Sequence, residues 1–334
     1  MGVRPRPPLL PRPHHPGHAR RHAVALISPR GDNPCIRSGR GAPMLGRVTI
    51  GLLFLLLVWG NLVAGLKAGL ACPDWPLCHG KVLPPLRWDI YMEFLHRVIA
   101  GVASLFLVAL SVRRYRAYEG TARLVPVLTV LLLLAEIGMG GAVVLLETPV
   151  QLTTYHFMTG LLVFLFAFYM MTFDGDFERP LFSFRGPAAL FLSVAVLVYF
   201  QAALGAYVRH LDAGLACPDF PTCLGRLIPS FLGGPVLVHY SHRLVGYLIL
   251  LTSLAIYLFV RRDPRQRGNR SLAASLLLLV ALQIGVGALV VLSKLHFLAT
   301  ALHLAVALGM LTALGHMWVR AVRSEGAALS LPPF

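Results

Sequence analysis

The chain has 334 residues, 57% hydrophobic and only 13% charged, with 30 Lys and Arg against 14 Asp and Glu. So few carboxylates cannot solvate so apolar a chain, which excludes a soluble globule. The net charge of +16 lies mostly in short segments between apolar runs and in the N-terminal part, so it reads as membrane topology and not as a nucleic-acid-binding face.

Residues 1–43 are rich in Arg, Pro and His without apolar periodicity. They predict a disordered basic tail or a misassigned start ahead of Met44, with a targeting peptide as the alternative. Cys35, within them, is assigned no role. Apolar stretches long enough to cross about 30 Å of hydrocarbon then follow near 48–66, 90–112, 124–146, 152–173, 187–208, 236–260, 271–292 and 296–318. The fold class expected is an all-α polytopic membrane protein with eight transmembrane helices. Arginines such as Arg113, Arg114, Arg179, Arg185, Arg261 and Arg262 crowd one set of connections, and the longer loops of the other set carry few. The positive-inside rule then puts both termini in the cytoplasm and the cysteine loops outside.

The eight spans divide into two copies of one four-helix unit, 44–175 and 186–320, followed by a C-terminal tail, 321–334. Cys72-Pro-Asp-Trp-Pro-Leu-Cys78 returns 145 residues later as Cys217-Pro-Asp-Phe-Pro-Thr-Cys223. His96-Arg97 pairs with His242-Arg243 at an offset of 146, and His156 with His303 at 147. An even number of helices per copy makes the two four-helix bundles parallel repeats about an axis along the membrane normal. Gly138-Met-Gly-Gly141 and Gly285-Val-Gly287 permit close helix approach.

Ionisable side chains inside apolar spans are costly and point to function. His96, His156, His242 and His303 each fall one to two turns after the outer end of an even-numbered helix, at similar depth. Two histidines at matching depth on different helices of one unit can supply both axial ligands of a heme iron. Zinc or copper is the competing metal, and His239 with His242, at i and i+3, is the pair nearest to such a site. His239 and His296 are alternatively supporting donors or entry-site ligands. Arg97 and Arg243 are candidate partners for heme propionates, or snorkelling anchors of their helix ends.

Where the second copy has His239, the first has Glu93. A carboxylate three residues from His96 is suited to proton transfer, so the first pocket reads as the one where chemistry is done and the second as an electron-carrying heme. Glu136 stands where the second copy has Gln283. On the oxidising side of a membrane, Cys72 with Cys78 and Cys217 with Cys223 are expected as disulfides, either structural staples or a redox-active pair of the exposed, labile kind.

Taken together, the GLACPDWPLC loop with Glu93-Phe-Leu-His96-Arg97 and the GLACPDFPTC loop with His239-Tyr-Ser-His242-Arg243 resemble the two halves of the heme A synthases, over about 44–320. The resemblance implies a prokaryotic plasma-membrane oxidoreductase that converts the C8 methyl of heme O to a formyl group by successive hydroxylations. His96 and His156 would ligate the heme O substrate and Glu93 would be catalytic. His242 and His303 would ligate a permanent heme b. It also implies handoff of heme O from the farnesyltransferase that makes it, delivery to cytochrome oxidase and an unidentified electron acceptor. The family's Val-Arg pair is kept as Val208-Arg209, whereas the first copy reads Val63-Ala64. A dihaem b-type electron carrier and a thiol–quinone oxidoreductase are the alternatives.

Overall fold

The computed structural model describes residues 42–175 and 178–329, together with Gly2. Nearly all of the expected N-terminal tail, including Cys35, and the last five residues of the expected C-terminal tail lie outside the described residues. Among the described residues eight long helices run in order: α1 (Ala42–Gly65), α2 (Trp88–Ala117), α3 (Leu124–Leu145), α4 (Val150–Thr172), α5 (Gly186–His210), α6 (Gly234–Arg262), α7 (Arg270–Leu292) and α8 (Phe297–Leu329). Each contains a stretch long and apolar enough to cross a membrane. There is no β-strand among the described residues.

Local chemistry explains where several of these helices begin and end. Asp89 in the first turn of α2 and Arg114 and Arg116 in its last complement the helix dipole. Prolines sit at the starts of α5 and α6, where the missing N–H costs nothing. α8 continues past residue 318 to Leu329 instead of ending at the span edge expected from composition.

In the first half α1 packs on α2 and α4, and α3 packs on both α2 and α4. The second half repeats the pairings, with α5 on α6 and α8, and α7 on both α6 and α8. The halves meet where α1 lies along α8 and α4 along α5. Tyr199 donates to the Met158 carbonyl across the α4–α5 seam at 3.2 Å. An apolar core runs through both halves and includes Leu107, Phe164, Phe191, Ile256, Leu276 and Leu308, all essentially inaccessible. Helix surfaces facing away from it keep large apolar side chains exposed, Leu105 at 72% and Leu278 at 71%. That pattern fits hydrocarbon, not water, as the solvent of the outer faces. Arg114 ties the far ends of α2 and α4 together, donating to the carbonyls of Met170 at 2.7 Å and Asp174 at 3.1 Å.

Candidate functional site

The two cysteine loops fold identically. Cys72–Cys78 and Cys217–Cys223 are disulfides, and a short antiparallel bridge follows each, Cys78 to Lys81 and Cys223 to Arg226. Both Trp75–Pro76 and Phe220–Pro221 are cis peptides. Asp74 closes the first loop by accepting the backbone N–H groups of His79 at 2.6 Å and Gly80 at 2.7 Å. Asp219 does the same in the second with Leu224 and Gly225, both at 2.8 Å, and accepts the Thr222 hydroxyl as well. The turn residues, His79 with Gly80 and Leu224 with Gly225, all have positive φ. A carboxylate caging two N–H groups is what makes that geometry affordable for His79 and Leu224. These donors hold Asp219 down to about 2, the Thr222 hydroxyl first among them, and lower Asp74, the Gly80 N–H first.

Each loop is latched to the helix behind it. Arg97 donates to the carbonyls of Asp74 at 2.8 Å, Leu77 at 2.5 Å and Cys72 at 3.2 Å. Arg243 donates to those of Asp219 at 2.8 Å, Thr222 at 2.7 Å and Cys217 at 2.7 Å. Both candidate propionate partners thus clamp the loops, their fork of donors matched to backbone oxygens.

Glu93 and His239 complete the clamps. Glu93 is 3% exposed; its Oε2 accepts the Cys72 N–H at 2.8 Å and its Oε1 the Arg97 guanidinium at 2.6 Å. His239 is 5% exposed; its Nδ1 lies 3.4 Å from the Cys217 nitrogen and 3.0 Å from the Ala213 carbonyl, and its Nε2 accepts Arg243 at 3.3 Å. Two residues that differ in sequence thus share one structural position, with a carboxyl group in the first half only. Both ring nitrogens of His239 are engaged by protein groups. No cluster of three or more His, Cys, Asp or Glu suited to hold a metal ion occurs among the described residues. His296 is exposed at the start of α8, where it stacks on Phe297 and accepts the Leu298 N–H.

The four disulfide sulfurs belong to residues at most 2% exposed. The expected disulfides are therefore present, and both are buried beneath their loops. In the first loop the disulfide packs with Ile90 of α2, and the Trp75 ring covers Gly141 on α3, where a β-carbon would come within 3.0 Å of the indole.

Below the loops, His96, His156, His242 and His303 each face a glycine on the preceding helix. A β-carbon on Gly60 would stand 2.9 Å from His96 Cε1, on Gly140 3.2 Å from His156 Cε1, on Gly205 2.9 Å from His242 Cε1 and on Gly287 3.0 Å from His303 Cε1. Gly140 and Gly287 lie in the glycine-rich stretches that the sequence marks as close helix approaches, whereas nothing local singles out Gly60 and Gly205 as seats. The signal that could have found them is the repeat itself, since Gly60 and Gly205 are 145 residues apart and Gly140 and Gly287 are 147 apart. All four rings are partly buried, each with its Nδ1 enclosed and without an aligned hydrogen-bond partner.

In the second half the His242 and His303 ring centroids are 6.3 Å apart, with planes at 63°. That gap admits one metal atom held from both sides by ring nitrogens at about 2 Å. The residues present therefore fit a bis-histidine heme: two imidazoles from two helices of one half, α6 and α8, free of protein ligands and seated against glycine. Gln201 donates to the His242 carbonyl at 2.7 Å and steadies that helix. In the first half Glu136 Oε1 lies 3.1 Å from His156 Nδ1. His210, at the end of α5, has its Nδ1 3.0 Å from the Thr154 hydroxyl on α4.

The model of a family described as cytochrome oxidase assembly protein matches residues 22–168 and 89–314. A heme A synthase of Symbiobacterium thermophilum is 34% identical over 264 residues, covering 75% of this chain and 86% of its own length. A heme A synthase of an Exiguobacterium species is 29% identical over 85% of this chain and 95% of its own. One from Halalkalibacterium halodurans is 28% identical over 67% and 77% respectively.

Proposed function

The chain belongs to the heme A synthase family of cytochrome oxidase assembly proteins, and on that footing we propose that it oxidises the C8 methyl group of heme O to a formyl group, giving heme A. The observation that carries this reading is the fourfold histidine–glycine seat, two in each half, in a multi-pass membrane protein of that family. In the proposal His96 and His156 hold the substrate heme and His242 and His303 a permanent heme b, which would supply a one-electron carrier beside the reacting site.

The protein's own residues do the rest. Glycine seats set the ring positions, and the latched first loop, with Trp75 against Gly141, covers the first site and limits water. Glu93 places a carboxylate one helical turn before His96, in the first half only, and this is why the substrate is assigned there. Each of two hydroxylations of the methyl carbon would take its oxygen from water and release two electrons and two protons, the electrons to a one-electron acceptor outside the chain, and the resulting gem-diol would lose water to leave the formyl group. Heme O would arrive from the farnesyltransferase that makes it, and heme A would leave for cytochrome oxidase. The clustering of arginines on one set of connections supports placement in a prokaryotic plasma membrane with both termini cytoplasmic and the disulfide loops outside.

The test is expression in a host that makes heme O but lacks its own heme A synthase, followed by pigment extraction. Heme A in the membranes is the expected result. Unconverted heme O would overturn the proposal, and protoheme alone at two per purified chain would favour the dihaem carrier instead.

A further inference from the structure

The two halves differ at a second point, behind a histidine instead of in front of one. Glu136 on α3 reaches toward His156 on α4, with Oε1 3.1 Å from the ring Nδ1. His156 Nδ1 and Glu136 Oε2 are both buried, and neither has another hydrogen-bond partner among the described residues. Space for the carboxylate comes from Gly160, where a β-carbon would fall 2.7 Å from Glu136 Oε1. In the second half the corresponding residues, 147 positions on, are Gln283 and Ala307. There the Gln283 side-chain oxygen is buried and unpartnered, and His303 faces that residue's backbone carbonyl. A carboxylate with a glycine that makes room for it, against an amide with an alanine, is a paired change confined to one site.

We propose that Glu136 is a positioning residue for His156: its carboxylate takes the Nδ1–H of the ring, fixes the tautomer that leaves Nε2 for iron, and sets a negative charge behind that ligand in the first half alone. The inference rests on the heme assigned above to His96 and His156. A carboxylate behind an axial imidazole orients the ring and strengthens its donation to the metal, which favours ferric iron. Gln283 does neither to the same degree, so the two irons differ in potential although each has two histidines.

The test uses the purified full-length protein loaded with protoheme in both halves, titrated anaerobically and followed by optical and electron paramagnetic resonance spectra. Glu136→Gln should raise the midpoint potential of the first-half heme, shift its ferric signal and weaken its retention roughly tenfold, with the second-half heme unmoved. Gln283→Glu should lower the potential of the second-half heme. Gly160→Ala, which displaces the carboxylate without removing it, should move the first-half heme in the same direction as Glu136→Gln. An unmoved potential and spectrum in Glu136→Gln with heme bound would overturn this inference alone. A first half that takes no heme in the parent protein would overturn the heme reading and this inference with it.

Discussion

The backbone N–H of Cys72 donates to Glu93 Oε2 at 2.8 Å, inside a clamp closed by Arg97. The buried carboxylate of the first half is thereby fastened to the disulfide loop that covers the same half. Loop and carboxylate move as one unit, and a change to either is felt by the other.

Replacing Glu93 tests whether its charge or only its clamping matters. Glu93→Ala should lose heme A formation and loosen the loop, leaving the Cys72 N–H and the Arg97 guanidinium short of a partner. Glu93→His imports the residue the second half uses, so it should restore loop order while heme A formation stays below a tenth of the parent. Parental heme A yield from Glu93→His would mean that the carboxylate has no part in the chemistry.

Gly60 and Gly205 should each tolerate nothing larger than hydrogen. An alanine there puts a methyl group 2.9 Å from the imidazole of His96 or His242 and must displace the ring. Gly205→Ala is expected to lose the second-half heme, and Gly60→Ala the first. Heme content per chain, measured on the purified variants, should fall from two to one, while full content in both would show that the rings do not act as ligands in these positions.

His242→Ala removes a proposed ligand outright and should abolish the b-type absorbance of the second half. His156→Ala should leave that absorbance in place and stop conversion of heme O. Undiminished b-type absorbance in His242→Ala would reverse the assignment of the halves.

Arg243→Met keeps the length of the side chain but leaves three loop carbonyls without their donor. The loss is expected to be about 3 kcal/mol, read as a lower unfolding temperature in detergent. Faster reduction of Cys217–Cys223 should accompany it, because the disulfide is buried only while the loop is latched.

Acid should open the second loop late. Asp219 is held to about 2 by the Thr222 hydroxyl and the Gly225 and Leu224 N–H groups, below the ordinary aspartate value of about 3.9. A depressed carboxyl stabilises the fold fully above its unfolded value and loses that contribution as pH falls through its folded one. The rate of phosphine reduction of Cys217–Cys223 should therefore stay level from pH 7 to about 4 and rise toward pH 2. A rise already complete at pH 5 would mean that Asp219 does not hold the turn.

Much of this protein is legible in its sequence because a bilayer imposes a coarse rule. Eight runs of apolar residues, the recurrence of Cys72–Cys78 as Cys217–Cys223 and four histidines at matching places in the repeat are all one-dimensional facts. Hydropathy and the internal offset suffice to read them. What only the tertiary structure decided is who partners whom. Arg97 and Arg243, whose places beside their histidines suggest propionate partners, turn back over more than twenty residues to loop carbonyls, and sequence does not encode that reach. Glu93 and His239 differ in chemistry yet hold one place, because a carboxylate oxygen and the imidazole Nε2 can each accept the arginine one helical turn on. Gly60 and Gly205 carried no local signal at all, for their meaning lies in an imidazole on another helix that occupies the space of the absent side chain.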